Sequence, residues 1–71
     1  MKSVSGKELA KALERHGWRL QRIHGSHHIY SKEGSIIRLS IPIHGNKPLK
    51  AGLLKHLLKI AELKEKDIES S

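Results

Sequence analysis

Seventy-one residues with a formal charge of +7 and no cysteine predict one small domain, residues 1–71, because the chain is shorter than the length at which a core divides. The missing cysteines exclude a disulfide framework and thiolate metal sites and fit a reducing cytoplasm, and no run approaches the ~18 apolar residues of a membrane-spanning helix, so no membrane partner is expected. A core this small has little net stability alone, which favours a protein partner, and the excess of Lys and Arg favours polyanions, nucleic acid first among them.

At the N-terminus, Met1-Lys2-Ser3-Val4-Ser5 leads into a polar helix pattern instead of the apolar centre of a signal peptide, so a soluble, unprocessed protein is expected. Ser5-Gly6-Lys7-Glu8 has the spacing of a capping box, in which the Ser hydroxyl and Glu carboxylate satisfy free amides at a helix start. The first helix is predicted over roughly residues 6–16, with Leu9, Ala12 and Leu13 as its apolar stripe and Gly17 as its stop.

A first strand is predicted over Trp18 to Ile23, with Trp18, Leu20 and Arg22 on one face and Arg19, Gln21 and Ile23 on the other. His24-Gly25-Ser26 reads as a turn, His27 to Lys32 as a second strand, and Glu33-Gly34 as the close of a hairpin onto a third strand, Ser35 to Ile41. In that third strand Ile37, Leu39 and Ile41 share a face, as a sheet covered on one side requires.

Pro42 has no amide to continue the ladder, and Gly45-Asn46 supplies a turn before a second helix predicted from about Pro48 to Leu63. Leu49, Leu53, Leu57, Ile60 and Ala61 make its stripe, broadened by Leu54 and Leu58. Lys64 to Glu69 adds a short helical turn carrying Ile68. Residues 62–71 hold four of the seven acids, Glu62, Glu65, Asp67 and Glu69, so the remaining 61 residues carry 12 basic and 3 acidic groups.

The predicted class is α+β in the order α-β-β-β-α, a three-stranded antiparallel sheet covered on one face by two helices. That is the order of the double-stranded-RNA-binding fold, an analogy that does not establish function.

His24, His27 and His28 fall within five positions, and His44 lies ahead of the second helix. Imidazole gives and takes protons near neutral pH, which is what RNA cleavage by the adjacent 2′-hydroxyl demands of a base and an acid. A strand histidine is more often structural than catalytic. Zinc is disfavoured, because strand periodicity sends His27 and His28 to opposite faces and few carboxylates lie near them.

Gly25-Ser26-His27-His28-Ile29-Tyr30, followed by a hairpin, a strand ending near Pro42, His44 and a helix rich in Lys, Gly and Leu, resembles the HicA family of messenger-RNA-cleaving toxins. The resemblance runs from Ser5 to about Leu63. It implies a fold like that of a double-stranded-RNA-binding domain, a toxin acting as an endoribonuclease without metal or cofactor, RNA as substrate, and a HicB-type antitoxin that blocks the site. By position, the family's active-site histidine falls on His27, with His28 as the alternative. The pleat groups His27 with Ile29, read as the more apolar face, and His28 with Tyr30, which counts against His27; as the first residue of its strand, His27 is nevertheless expected at the sheet rim, partly desolvated.

Gly25 would permit a tight turn and close approach of a phosphate, and Ser26 would donate to a phosphate oxygen. His44 is a candidate substrate contact if the third strand brings it toward this turn. Lys47 and Lys50 stand where free amides at a helix start already favour phosphate, whereas Arg15, Arg19, Arg22 and Arg38 read as electrostatic steering or surface. The competing functions are a non-catalytic RNA-binding module of the same fold and a domain that docks an acidic partner. The module fits less well, since the first helix is short for a duplex binder and Trp18 and Tyr30 are too few for a stacking platform. The docking domain leaves the histidines unexplained.

Overall fold

The computed structural model describes residues 3–69. Its elements run α1 (Gly6–Arg15), β1 (Trp18–His24), β2 (His27–Lys32), β3 (Arg38–Pro42), α2 (Ala51–Ala61) and α3 (Glu65–Glu69). The strands form an antiparallel sheet in the order β1-β2-β3, with β2 in the middle. This is the expected α+β order.

The start of α1 is held by the predicted capping box: the Glu8 amide donates to Ser5 Oγ at 3.2 Å and the Ser5 amide to Glu8 Oε1 at 3.1 Å. The helix ends at His16, where Gly17 turns the chain at a positive φ. Its buried face, Leu9, Ala12 and Leu13, packs against Tyr30, Leu39 and Ile41 of the sheet and Leu54, Leu57 and Leu58 of α2 in one cluster. Ile68 of α3 joins them, and the Arg15 guanidinium donates to the Asp67 carbonyl at 2.8 Å, tying α3 to the end of α1. The acidic C-terminal stretch is thereby fastened to the helix layer.

Three local details differ from the expected pattern. A bulge between Leu20 and Arg22 reverses the faces of β1, so that Ile23 pairs with His28 and Arg22 with Ile29; the extra residue breaks the alternation that strict periodicity assumes. The third strand starts at Arg38 and not at Ser35, leaving Ile36 and Ile37 exposed in the hairpin. The second helix spans Ala51–Ala61, shorter than Pro48 to Leu63. Pro48 is held in a bridge with Ser5, and the Leu49 amide donates to the Val4 carbonyl at 2.7 Å, so this stretch is extended. At the other end Glu62 is left-handed and the Leu63 amide closes on the Leu58 carbonyl at 2.9 Å, a Schellman-type stop. The centre of the α2 stripe is accordingly Leu54, Leu57, Leu58 and Ala61, with Leu53 at the exposed edge.

Gly6 marks the tightest junction. A β-carbon there would overlap the Pro42 carbonyl oxygen and crowd the Ile43 side chain, so the first turn of α1 sits directly on the end of β3. Helix propensity alone would make Gly6→Ala favourable; the backbone contact reverses the sign. Gly6→Ala is expected to lower the unfolding free energy by about 2 kcal/mol, the usual scale of overpacking, as measured by urea denaturation.

Tyr30 is almost wholly buried, and its hydroxyl donates to Glu14 Oε2 at 3.4 Å. Burial, and after it the neighbouring Glu14 charge, hold its phenol above the ordinary pKa. The native state therefore keeps this proton more tightly than the unfolded chain. The resulting stability is complete below the ordinary phenol range and is lost as pH rises through the raised value. Tyr30→Phe should cost about 1 kcal/mol at neutral pH and should remove this alkaline loss of stability in melts run across high pH.

Candidate active site

The β1–β2 hairpin turns on two residues, Gly25 and Ser26, and Gly25 adopts φ 63°, where a β-carbon clashes with the following carbonyl. A turn this short makes His24 and His27 direct cross-strand partners. Residues so paired have β-carbons ~4.5–5.5 Å apart on one face, and both histidines are exposed. His24 was expected within the turn; the structure makes it the last residue of β1.

Which face they occupy follows from Tyr30. Tyr30 pairs with Leu20 on one side and Leu39 on the other, and Leu39 lies in the core with it. Alternation then sends His28, paired with Ile23 and Ile41, toward the helices, where it is half-buried. His27, Ile29 and Ser31 belong to the opposite, open face. The expectation of a partly desolvated His27 on the more apolar face is thus corrected: the Tyr30 face is the covered one, and His27 stands in solvent.

The residues after β3 come back to the same rim. Pro42 pairs with His27, and the Ile43 amide donates to the Ser26 carbonyl at 2.8 Å. His44 follows directly. A turn at Gly45-Asn46, closed by the Lys47 amide on the His44 carbonyl at 3.0 Å, leads to Lys50, which stands at the N-cap of α2 with no side chain capping the helix amides. Pro42, His44, Lys47, Lys50, Leu49 and Leu53 line a cleft of about 200 Å³ between the sheet rim and the start of α2. The fold thus brings the Gly25-Ser26 turn and His27 to Pro42 and Ile43, directly before His44; Lys47 and Lys50 share the cleft with His44 and Pro42, and His28 lies on the opposite face of the sheet from His27. His16 and His56 lie elsewhere, His16 beside Asp67 at 3.9 Å and His56 on the exposed side of α2. Among the described residues, no three His, Cys, Asp or Glu side chains gather as a metal site would need, and no helix is long and apolar enough to cross a membrane.

Fold and rim together define a small basic α+β protein built like a double-stranded-RNA-binding domain, with an imidazole pair at the end of its sheet. Residues 6–63 match the family described as HicA toxin of bacterial toxin-antitoxin. The match covers well over half of the chain, and the protein belongs to that family of toxins. A comparison with curated proteins finds no match.

Since nothing lies within 4 Å of a β-carbon built on Gly25, any penalty for replacing it comes from backbone conformation alone. Gly25→Ala should cost about 1–2 kcal/mol and Gly25→Asn distinctly less, because Asn tolerates the left-handed region. Thermal melts of the two variants compare these costs.

Proposed function

We propose that this protein is the ribonuclease toxin of a toxin–antitoxin pair: a metal-independent endoribonuclease that cleaves messenger RNA with His27 as general base, and that is silenced when a HicB-type antitoxin covers the same rim. The observation that carries the reading is the cross-strand pairing of His24 with His27 on the open face, beside the loop bearing His44, Lys47 and Lys50. Transfer through the 2′-hydroxyl needs a base, an acid and positive charge at phosphorus, and this edge of the sheet offers candidates for all three.

In this mechanism the His27 imidazole takes the proton of the 2′-hydroxyl, and the 2′-oxygen forms a bond to the adjacent phosphorus. The bond from phosphorus to the 5′-oxygen breaks, and that oxygen leaves with a proton from protonated His24. The products are a 2′,3′-cyclic phosphate and a free 5′-hydroxyl. Proton exchange with water then returns both rings to their starting forms. Ser26, His44, Lys47 and Lys50 hold the phosphate, aided by the uncapped amides at the start of α2. Gly25 keeps the turn short enough for the two rings to face one RNA linkage.

Acid–base catalysis by a positioned side chain contributes on the order of 10²–10⁴ in rate, so a slow enzyme is expected, adequate for disabling messages. His27→Ala should lower cleavage of a long unstructured RNA by about that factor, with chelator leaving the parent unaffected. His24→Ala should flatten one limb of a bell-shaped pH dependence of kcat/KM, and His28→Ala should keep most of the activity. Equal degradation by the parent and His27→Ala would mark the activity as contamination and sink the assignment. Loss of activity only in His28→Ala would move the chemistry to the helix-side ring. In cells, expression should arrest growth unless the antitoxin is co-expressed.

A further inference from the structure

The open face of the sheet continues away from His27 as rows set by strand register. The next row is Arg22, Ile29 and Ser40, and the one beyond is Arg19, Ser31 and Arg38. Arg22 is on this face only because of the bulge at Gln21; without it, alternation would turn Arg22 toward the helices with Trp18 and Leu20. All three arginines are exposed, and among the described residues the ion pair found is His16 with Asp67, so none of these guanidiniums is neutralised by a carboxylate. Arg19 and Arg38 flank a depression of about 420 Å³ with Ser31 between them and Glu33 at its hairpin end. No acid lies on the strand positions of this face.

We propose that this face binds a single RNA strand running along β2, with Arg19 and Arg38 forming a second phosphate subsite remote from the linkage at His27. The proposal rests on the nuclease reading for which linkage is cut, and on the arginine rows for where the rest of the strand lies. From His27 to Ser31 is four residues, ~13 Å at the usual strand rise, a span of a few nucleotides. Three strands are only ~10 Å across, which suits one flexible strand better than a duplex; attack by a 2′-hydroxyl in line with its leaving group also requires a strand free of A-form geometry. Guanidinium forks match phosphate oxygens in pairs. Arg22 and half-buried Ile29, midway between the two phosphate positions, give a base a flat cationic and apolar seat in place of an aromatic one.

Binding is tested with a labelled, unstructured RNA of ~12 nucleotides, within the usual range for such tracks, on the His27→Ala background so that the probe survives. Adding Arg19→Glu and Arg38→Glu should weaken binding on the order of tenfold or more, and the loss should grow with probe length. The charge-neutral pair Arg19→Ala and Arg38→Ala should flatten the dependence of log affinity on log salt by about 1.4, the share of two phosphate contacts on a single strand. The pair Arg19→Lys and Arg38→Lys should restore most of that slope, and melting curves should match the parent because the side chains are exposed. Unchanged affinity and salt slope in the Glu and Ala pairs, or tighter binding of a duplex of equal length, would overturn the track, including the case where this face docks a protein instead. Normal RNA binding by the arginine variants alongside an inactive His27→Ala would remove the track and leave the nuclease. Weak binding by them alongside a fully active His27→Ala would do the reverse.

Discussion

Burial of Tyr30 between Leu20 and Leu39, under α1 and α2, leaves the central strand a single register. Side chains on a strand alternate with a period of two, so slipping that register by one residue would turn Tyr30 into solvent and carry the whole hydrophobic set with it. Everything else on β2 follows from this one packed ring: His28 faces the helices, and His27, Ile29 and Ser31 face outward. Two adjacent histidines that look equivalent in the chain acquire opposite environments from it.

A second constraint brings the rim together. Gly6 lets the first turn of α1 rest on the Pro42 carbonyl, Leu49 bonds to Val4, and Ile43 bonds to Ser26. The first contact joins helix to strand end, the second ties the loop before α2 to the N-terminal segment, and the third joins that loop to the β1–β2 turn. These backbone contacts bring the loop that starts at His44 to the strand end paired with His27, and the same loop carries Lys47 and Lys50 into the cleft lined by His44 and Pro42.

Charge is sorted by the same architecture. Arg15 at the end of α1 donates to the Asp67 carbonyl and His16 lies 3.9 Å from the Asp67 carboxylate, so this acid of the C-terminal stretch sits on the helix layer. On the opposite face Arg19, Arg22 and Arg38 form no ion pair among the described residues. A polyanion approaching the open sheet meets Arg19, Arg22 and Arg38 with no acid on the strand positions of that face, beside the histidines, and steering toward a cationic surface of this kind raises encounter rates. In the proposed toxin, the antitoxin would have to cancel that same charge, which makes an acidic covering surface its simplest chemistry.

Much of this was legible in the chain. The capping box at Ser5 and Glu8, the stop at Gly17, the hairpins, the Leu-rich second helix and the terminal turn bearing Ile68 all rest on local spacing, which survives folding unchanged. The family, too, could be read from the segment around Gly25 to Tyr30. Tertiary structure alone decided three things. A bulge at Gln21 reversed the faces of Arg22 and Ile23, because one inserted residue alters the alternation on which a periodic reading depends. The covered face of β2 turned out to be that of Tyr30, since which side the helices occupy is set by total buried area across all three strands and not by a pair of neighbours. Finally, His24 became the partner of His27 and His44 reached their rim through hydrogen bonds between residues far apart in the chain, a kind of proximity that spacing along the sequence does not encode.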